Sequence, residues 1–82
     1  MTGRELTLYS TEGCHLCEAA EALLGQVRAA QGDLQWQVVD IALDDVLFER
    51  YGWSIPVLRD RSGRELNWPF DGAQLREFLS AG

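Results

Sequence analysis

Cys14 and Cys17 are the only two cysteines in the 82 residues, and they stand three apart in Cys14-His15-Leu16-Cys17. A thiolate attacks a disulfide sulfur, and a second thiol one helical turn away can attack the mixed disulfide so formed, closing an intramolecular bridge. That chemistry is helped if the pair opens a helix, because the unpaired amides and positive dipole end there lower an ordinary thiol pKa of about 8.5. Cys14, at the exposed end, is then the nucleophile, and Cys17, inside the turn, is the resolving thiol. His15 favours the adjacent thiolate when protonated or else only meets solvent, and both readings stand. Glu18 and Glu21 suit a helix start but oppose a neighbouring thiolate. Two other uses of the pair stay open. A zinc site or an iron–sulfur cluster would need ligands from a second chain or an added thiol, since two thiols and one imidazole fall short of four. Two inert buried cysteines would do no chemistry at all.

The elements that must position the pair are legible from periodicity. Leu6, Thr7, Leu8 and Tyr9 alternate as a strand and run into the loop Ser10 to Gly13. Leu16, Ala20, Leu23, Leu24 and Val27 form a helical stripe, so a first helix is expected from about Cys14 to about Gln31, stopped by Gly32 and Asp33. Period two returns at Leu34, Trp36 and Val38 and ends with Val39, Asp40 and Ile41 as the second strand. Asp44 or Asp45 caps a short helix through Tyr51, with Gly52 expected in the left-handed conformation at its end. Pro56 to Leu58 and Glu65 to Trp68 are strands joined by the polar turn Asp60 to Gly63. Asp71 and Gln74 form a capping box for a last helix whose apolar face is Leu75, Phe78 and Leu79. The order is βαβαββα: an α/β fold with a mixed four-stranded sheet, its first two strands parallel, its last two an antiparallel hairpin, flanked by three helices on both faces.

Length and composition restrict the function classes. Residues 1–82 form one domain, and 46% hydrophobic content with three Trp, three Phe and two Tyr fills a core. Thirteen acidic side chains against seven Arg and no Lys give a net charge of -6, which argues against nucleic acid as a partner. With no apolar run of membrane or signal-peptide length, the expectation is a monomer in the cytoplasm, with no membrane contact. Arg59, Arg61 and Arg64 are the one basic concentration, either a solvated turn or a surface for an acidic partner.

With strand, Cys14-His15-Leu16-Cys17, helix, and Ile55-Pro56 before the third strand, the sequence resembles the glutaredoxin branch of the thioredoxin superfamily, over nearly the whole chain. Tyr9-Ser10-Thr11-Glu12-Gly13-Cys14 is similar to the segment that opens a glutaredoxin, and Trp68-Pro69 to one near the end of compact bacterial glutaredoxin-like proteins. The resemblance implies a thioredoxin-like fold and thiol–disulfide exchange by Cys14 and Cys17 on protein or small-molecule disulfides, serving cell redox homeostasis. No cofactor beyond the cysteine pair is implied. It also implies a cis proline at Pro56 packed against the cysteines, with Ile55 offering its backbone to an extended substrate, whereas an ordinary X–Pro bond at a strand start is trans. Trp53, three residues before Pro56, either lines the substrate groove or packs in the core with Trp36. The chain departs from the classical pattern at His15 and Leu16, where Pro and Tyr are usual. It departs again at Thr11, where a Lys supports the thiolate and glutathione, and at Pro69 and Phe70, where a Gly-Gly pair admits glutathione. Glutathione is therefore a doubtful reductant unless Arg50 replaces the missing Lys, and the thiol donor is unknown. A non-catalytic binding module or iron–sulfur cluster carrier of the same fold is the alternative.

Overall fold

The computed structural model describes residues 4–81. Its elements are β1 (Arg4–Ser10), α1 (His15–Gln31), β2 (Leu34–Asp40), a 3-10 turn (Ile41–Leu43), α2 (Asp45–Tyr51), β3 (Val57–Asp60), β4 (Glu65–Asn67) and α3 (Gly72–Ala81). They form the four-stranded mixed sheet and three helices of a thioredoxin-like fold, with strand order β2-β1-β3-β4. β1 is central, parallel to β2 and antiparallel to β3, and β3 pairs with β4 as the expected hairpin.

Alternation along β1 decides which layer covers each face. Leu6 and Leu8 enter the larger core with Ala20, Leu24 and Val27 of α1 and Leu75, Phe78 and Leu79 of α3. Tyr9 points to the other face and packs with Ile41, Tyr51 and Val57 under α2. The aromatic rings of Tyr9 and Tyr51 stack at 4.4 Å, and the Tyr51 hydroxyl donates to Glu65 Oε2 at 2.5 Å, tying α2 to the hairpin. Burial first, and then that bond, push the Tyr51 hydroxyl pKa up.

The helix ends follow local chemistry. α1 stops at Gly32, whose φ of 90° is left-handed and whose N–H donates to Arg28 O. Asp44, not Asp45, caps α2 by accepting from Val46 N and Leu47 N. The Asp71–Gln74 capping box is reciprocal, at 2.9 and 2.7 Å.

Four expectations need correction. Gly52 is right-handed, at φ −53°, and its role is close approach: a Cβ there would meet Phe48 O at 2.6 Å. Ile41 does not extend β2, because Asp40 accepts from Ala42 N and bends the chain into the 3-10 turn. β4 closes at Asn67, so Trp68 lies outside it and packs against the larger core. Leu16 is 48% exposed while Cys17 is buried, so the buried arc of α1 is Cys17, Ala20, Leu24 and Val27. Leu16 lies about 100° around the helix from Cys17, at the edge of that arc.

Of the hairpin arginines, Arg64 is engaged: it bonds to Asp60 and to Phe78 O and covers the Phe78 ring. The Tyr9 side chain beside Arg59 pushes the pKa of that guanidinium up, and Arg61 is exposed. Burial raises the Asp60 pKa, but bonds from Ser62 Oγ, Arg64 N, Arg64 Nε and Ser62 N outweigh it and hold the carboxyl below its usual range. A depressed folded-state pKa stabilises the fold above the unfolded value and loses that stability as pH falls through the folded one. Asp60→Asn should therefore cost about 1–2 kcal/mol at pH 7, with the gap to the parent protein narrowing below about pH 4. Urea titrations at pH 7 and pH 3 check this, and an equal gap at both pH values refutes it.

Candidate active site

β1 delivers the chain to the carboxyl edge of the sheet, the end at which open α/β folds present their ligands. There Thr11, Glu12 and Gly13 turn it into α1. Cys14 N donates to Thr11 O at 3.3 Å, and Gly13, at φ 78°, takes the left-handed conformation the turn requires. Cys14 is the N-cap of α1: its Sγ accepts from Cys17 N at 3.2 Å. On reduction that amide and the helix dipole face a thiolate, and both favour the charged form.

Cys14 and Cys17 are joined by a disulfide, with Cα atoms 5.2 Å apart, within the usual span of such bridges. Their exposures differ in the direction the roles need. Cys14 is half-buried, whereas Cys17 is 2% exposed in the inward arc of α1. Cys14 is thus the more accessible of the two from solvent.

The other residues singled out by sequence divide around β1. Because Tyr9 pairs with Val57, Pro56 stands at the same sheet end as Cys14, on the β3 side. Pro56 is buried and the Ile55–Pro56 peptide is cis, as is Trp68–Pro69. Ile55 is half-buried against the α2 layer, and its N–H already donates to Tyr51 O at 3.1 Å. Trp53 is fully exposed, at 102%, so it does not join Trp36, which packs against the larger core. His15 and Leu16 are exposed on the first turn of α1.

On the β2 side a cavity of about 380 Å³ opens beside the disulfide, bounded by Thr11, Cys14, Cys17, Val38 and four carboxylate residues, Glu12, Glu18, Glu21 and Asp40. Asp40 arrives there through the parallel register, which sets it beside Ser10. Neither Glu12 nor Asp40 was marked by its sequence context, and only correct pairing of β1 with β2 could have found Asp40. Among the described residues, no arginine lines this cavity. Arg50 lies instead on α2, its guanidinium 5.4 Å from the Tyr51 ring centre, and does not replace the missing Lys.

Comparison with known proteins decides the family. Residues 5–80 match the family described as Glutaredoxin-like domain (DUF836). The chain belongs to this glutaredoxin-like family. In line with that, the fold is similar to the X-ray structure of XcR50 from X. campestris, at 48% identity and TM-score 0.81, covering 94% of this chain and 97% of that one. It is similar too to the solution structure of Ne2328 from Nitrosomonas europaea, at 28% identity and TM-score 0.81, covering 96% and 94%. Thioredoxin 1 from Thermosipho africanus shares the fold at 11% identity, with TM-score 0.67 and coverage of 94% and 91%. No curated protein matches the sequence. In this glutaredoxin-like domain a Cys-x-x-Cys bridge stands at the start of α1, with a cleft walled by carboxylates beside it.

Proposed function

We propose that this glutaredoxin-like domain is a thiol–disulfide oxidoreductase that reduces disulfides by dithiol exchange. The observation that carries the reading is the Cys14–Cys17 bridge at the N-terminus of α1, with Cys14 partly open to solvent and Cys17 buried. In the reduced protein the Cys14 thiolate attacks a substrate disulfide, forms a new S–S bond, and releases one substrate thiolate. Cys17, as its thiolate, then attacks Cys14 Sγ, regenerating the intramolecular disulfide and releasing the second substrate thiolate, so that two electrons pass to the substrate. The two protons lost by the cysteines go to the two leaving thiolates through solvent. An external dithiol returns the pair to the reduced state.

The side chains around the bridge support a role for each neighbour. Ile55 offers an extended substrate its carbonyl, since its amide is engaged with Tyr51. Thr11 borders the cleft without charge, and His15 and Leu16 front the solvent beside the nucleophile. Trp53 is a projecting apolar contact on the segment leading to Pro56. No cofactor beyond the cysteine pair is needed for this chemistry. It suits a reducing compartment such as the cytoplasm, and a protein acting as a monomer without nucleic acid. No helix among the described residues is long and apolar enough to cross a membrane.

Glutathione is a poor fit as the donor. A missing charge-assisted contact at Thr11 removes about tenfold or more in affinity. Pro69, which is exposed, has no N–H to offer the tripeptide. Reduction of a model protein disulfide, followed with either a thioredoxin-type dithiol system or glutathione and its reductase as donor, should be efficient only with the dithiol. Turnover with neither overturns the proposal, and efficient turnover with glutathione alone overturns the choice of donor.

A further inference from the structure

We infer that the cleft beside the disulfide selects cationic substrates: disulfides in polypeptides whose cysteine is flanked by lysine or arginine. The inference rests on the oxidoreductase reading and names the substrate class of that site. Its basis is the wall that any molecule approaching Cys14 from the β2 side must pass. Glu12 belongs to the loop before Cys14, Glu18 and Glu21 to successive turns of α1, and Asp40 to the end of β2, and all four line the cavity that Cys14 and Cys17 also border.

Three observations make this a recognition surface for an organic cation rather than a chance run of acids. Glu12, Glu18 and Glu21 lie on the loop and helix that carry the cysteines, and Asp40 joins them from a separate strand through the β1–β2 register that sets it beside Ser10. They are spread along the wall of the cleft, since among the described residues no three His, Cys, Asp or Glu side chains are grouped as a set that could hold a metal ion. Among the described residues, the lining also lacks any arginine that would neutralise them. The cavity, of about 380 Å³ and bordered by the half-exposed Val38, has room for the stem of a long basic side chain with its charged head among the carboxylates.

The reaction is the one already written: the Cys14 thiolate displaces one thiolate of the cationic disulfide, and Cys17 displaces the other. Charge acts on the encounter and on the mixed disulfide. Each carboxylate–cation pair at about 8 Å in water is worth about two- to threefold at low salt, and an anionic substrate suffers the inverse. Several such pairs compound to a preference of about tenfold or more.

Two symmetric peptide disulfides, one with Lys and one with Glu on both sides of the cysteine, test this. Their exchange rates with the reduced protein are normalised to their rates with dithiothreitol, which removes the intrinsic reactivity of each disulfide. The Lys peptide should be favoured about tenfold or more at low ionic strength. The preference should fall below about threefold in 1 M NaCl and in the variant Glu12→Gln/Glu18→Gln/Glu21→Gln. Single Glu18→Gln and Glu21→Gln proteins read the same loss in smaller steps if the triple variant does not fold. Equal normalised rates for the two peptides, or a preference untouched by the substitutions, would overturn the selectivity and leave the oxidoreductase reading standing. Exchange with neither peptide would overturn that reading and the inference together.

Discussion

Cys14→Ser is expected to lower disulfide reduction by about a thousandfold or more, to the background of the donor alone, because a serine hydroxyl is not ionised near neutral pH and cannot displace a thiolate. Cys17→Ser should behave differently. It leaves the nucleophile in place and removes the group that releases the substrate, so a mixed disulfide should accumulate on Cys14. The asymmetry comes from position on one helix. Cys14 caps α1, with its sulfur held by Cys17 N at 3.2 Å, and is partly open to solvent, whereas Cys17 faces the core at 2% exposure. Intact mass spectrometry after incubation of each variant with a disulfide substrate distinguishes them: an adduct on Cys17→Ser and none on Cys14→Ser. Faster alkylation of Cys17 than of Cys14 in the reduced parent protein would reverse the roles.

Leu24→Ala carries the largest expected effect on stability. Leu24 is fully buried in the arc of α1 that also holds Cys17, packed with Leu6, Leu8 and Leu58 of the sheet and with α3. Truncation leaves a cavity between helix and sheet as well as losing apolar burial, and such changes cost about 2–5 kcal/mol. A chain of this length is stable by only about 4–12 kcal/mol in total, so the loss is a large share. Urea unfolding should show a midpoint lowered with the slope unchanged. Val46→Ala, at a position 74% exposed, should change stability by less than about 0.5 kcal/mol. A loss at Leu24 no larger than that at Val46 would refute the packing account.

Much of this architecture is local, and local chemistry is what a sequence displays. The spacing of Cys14 and Cys17, the stop at Gly32, the capping box of Asp71 and Gln74, and the alternation of Leu6 and Leu8 each depend on residues a few positions apart. Periodicity, caps and turn residues were also enough to assign the three α-helices and the four strands, and the long helical connection gave the parallel sense of β1 and β2. It failed where two local signals competed. Asp40 both ends a strand and caps a turn, and the bond to Ala42 N won over strand extension to Ile41. Gly52 fits a left-handed cap or a close approach, and the nearness of Phe48 O selected the second.

What the sequence by itself determined is therefore the pair of thiols, the helix that begins at them, and the order of elements that carries them to one end of a sheet. Tertiary structure alone decided the surroundings of that pair. It buried Cys17 in place of Leu16, left Trp53 in solvent, engaged the Ile55 amide with Tyr51 and drew Arg64 down onto Phe78. It also brought Asp40 to the same cleft as Glu12, Glu18 and Glu21. The physical reason is distance along the chain. A helix start is set by hydrogen bonds within one turn, whereas Asp40 joins the charges around Cys14 only when β2 takes its register on β1.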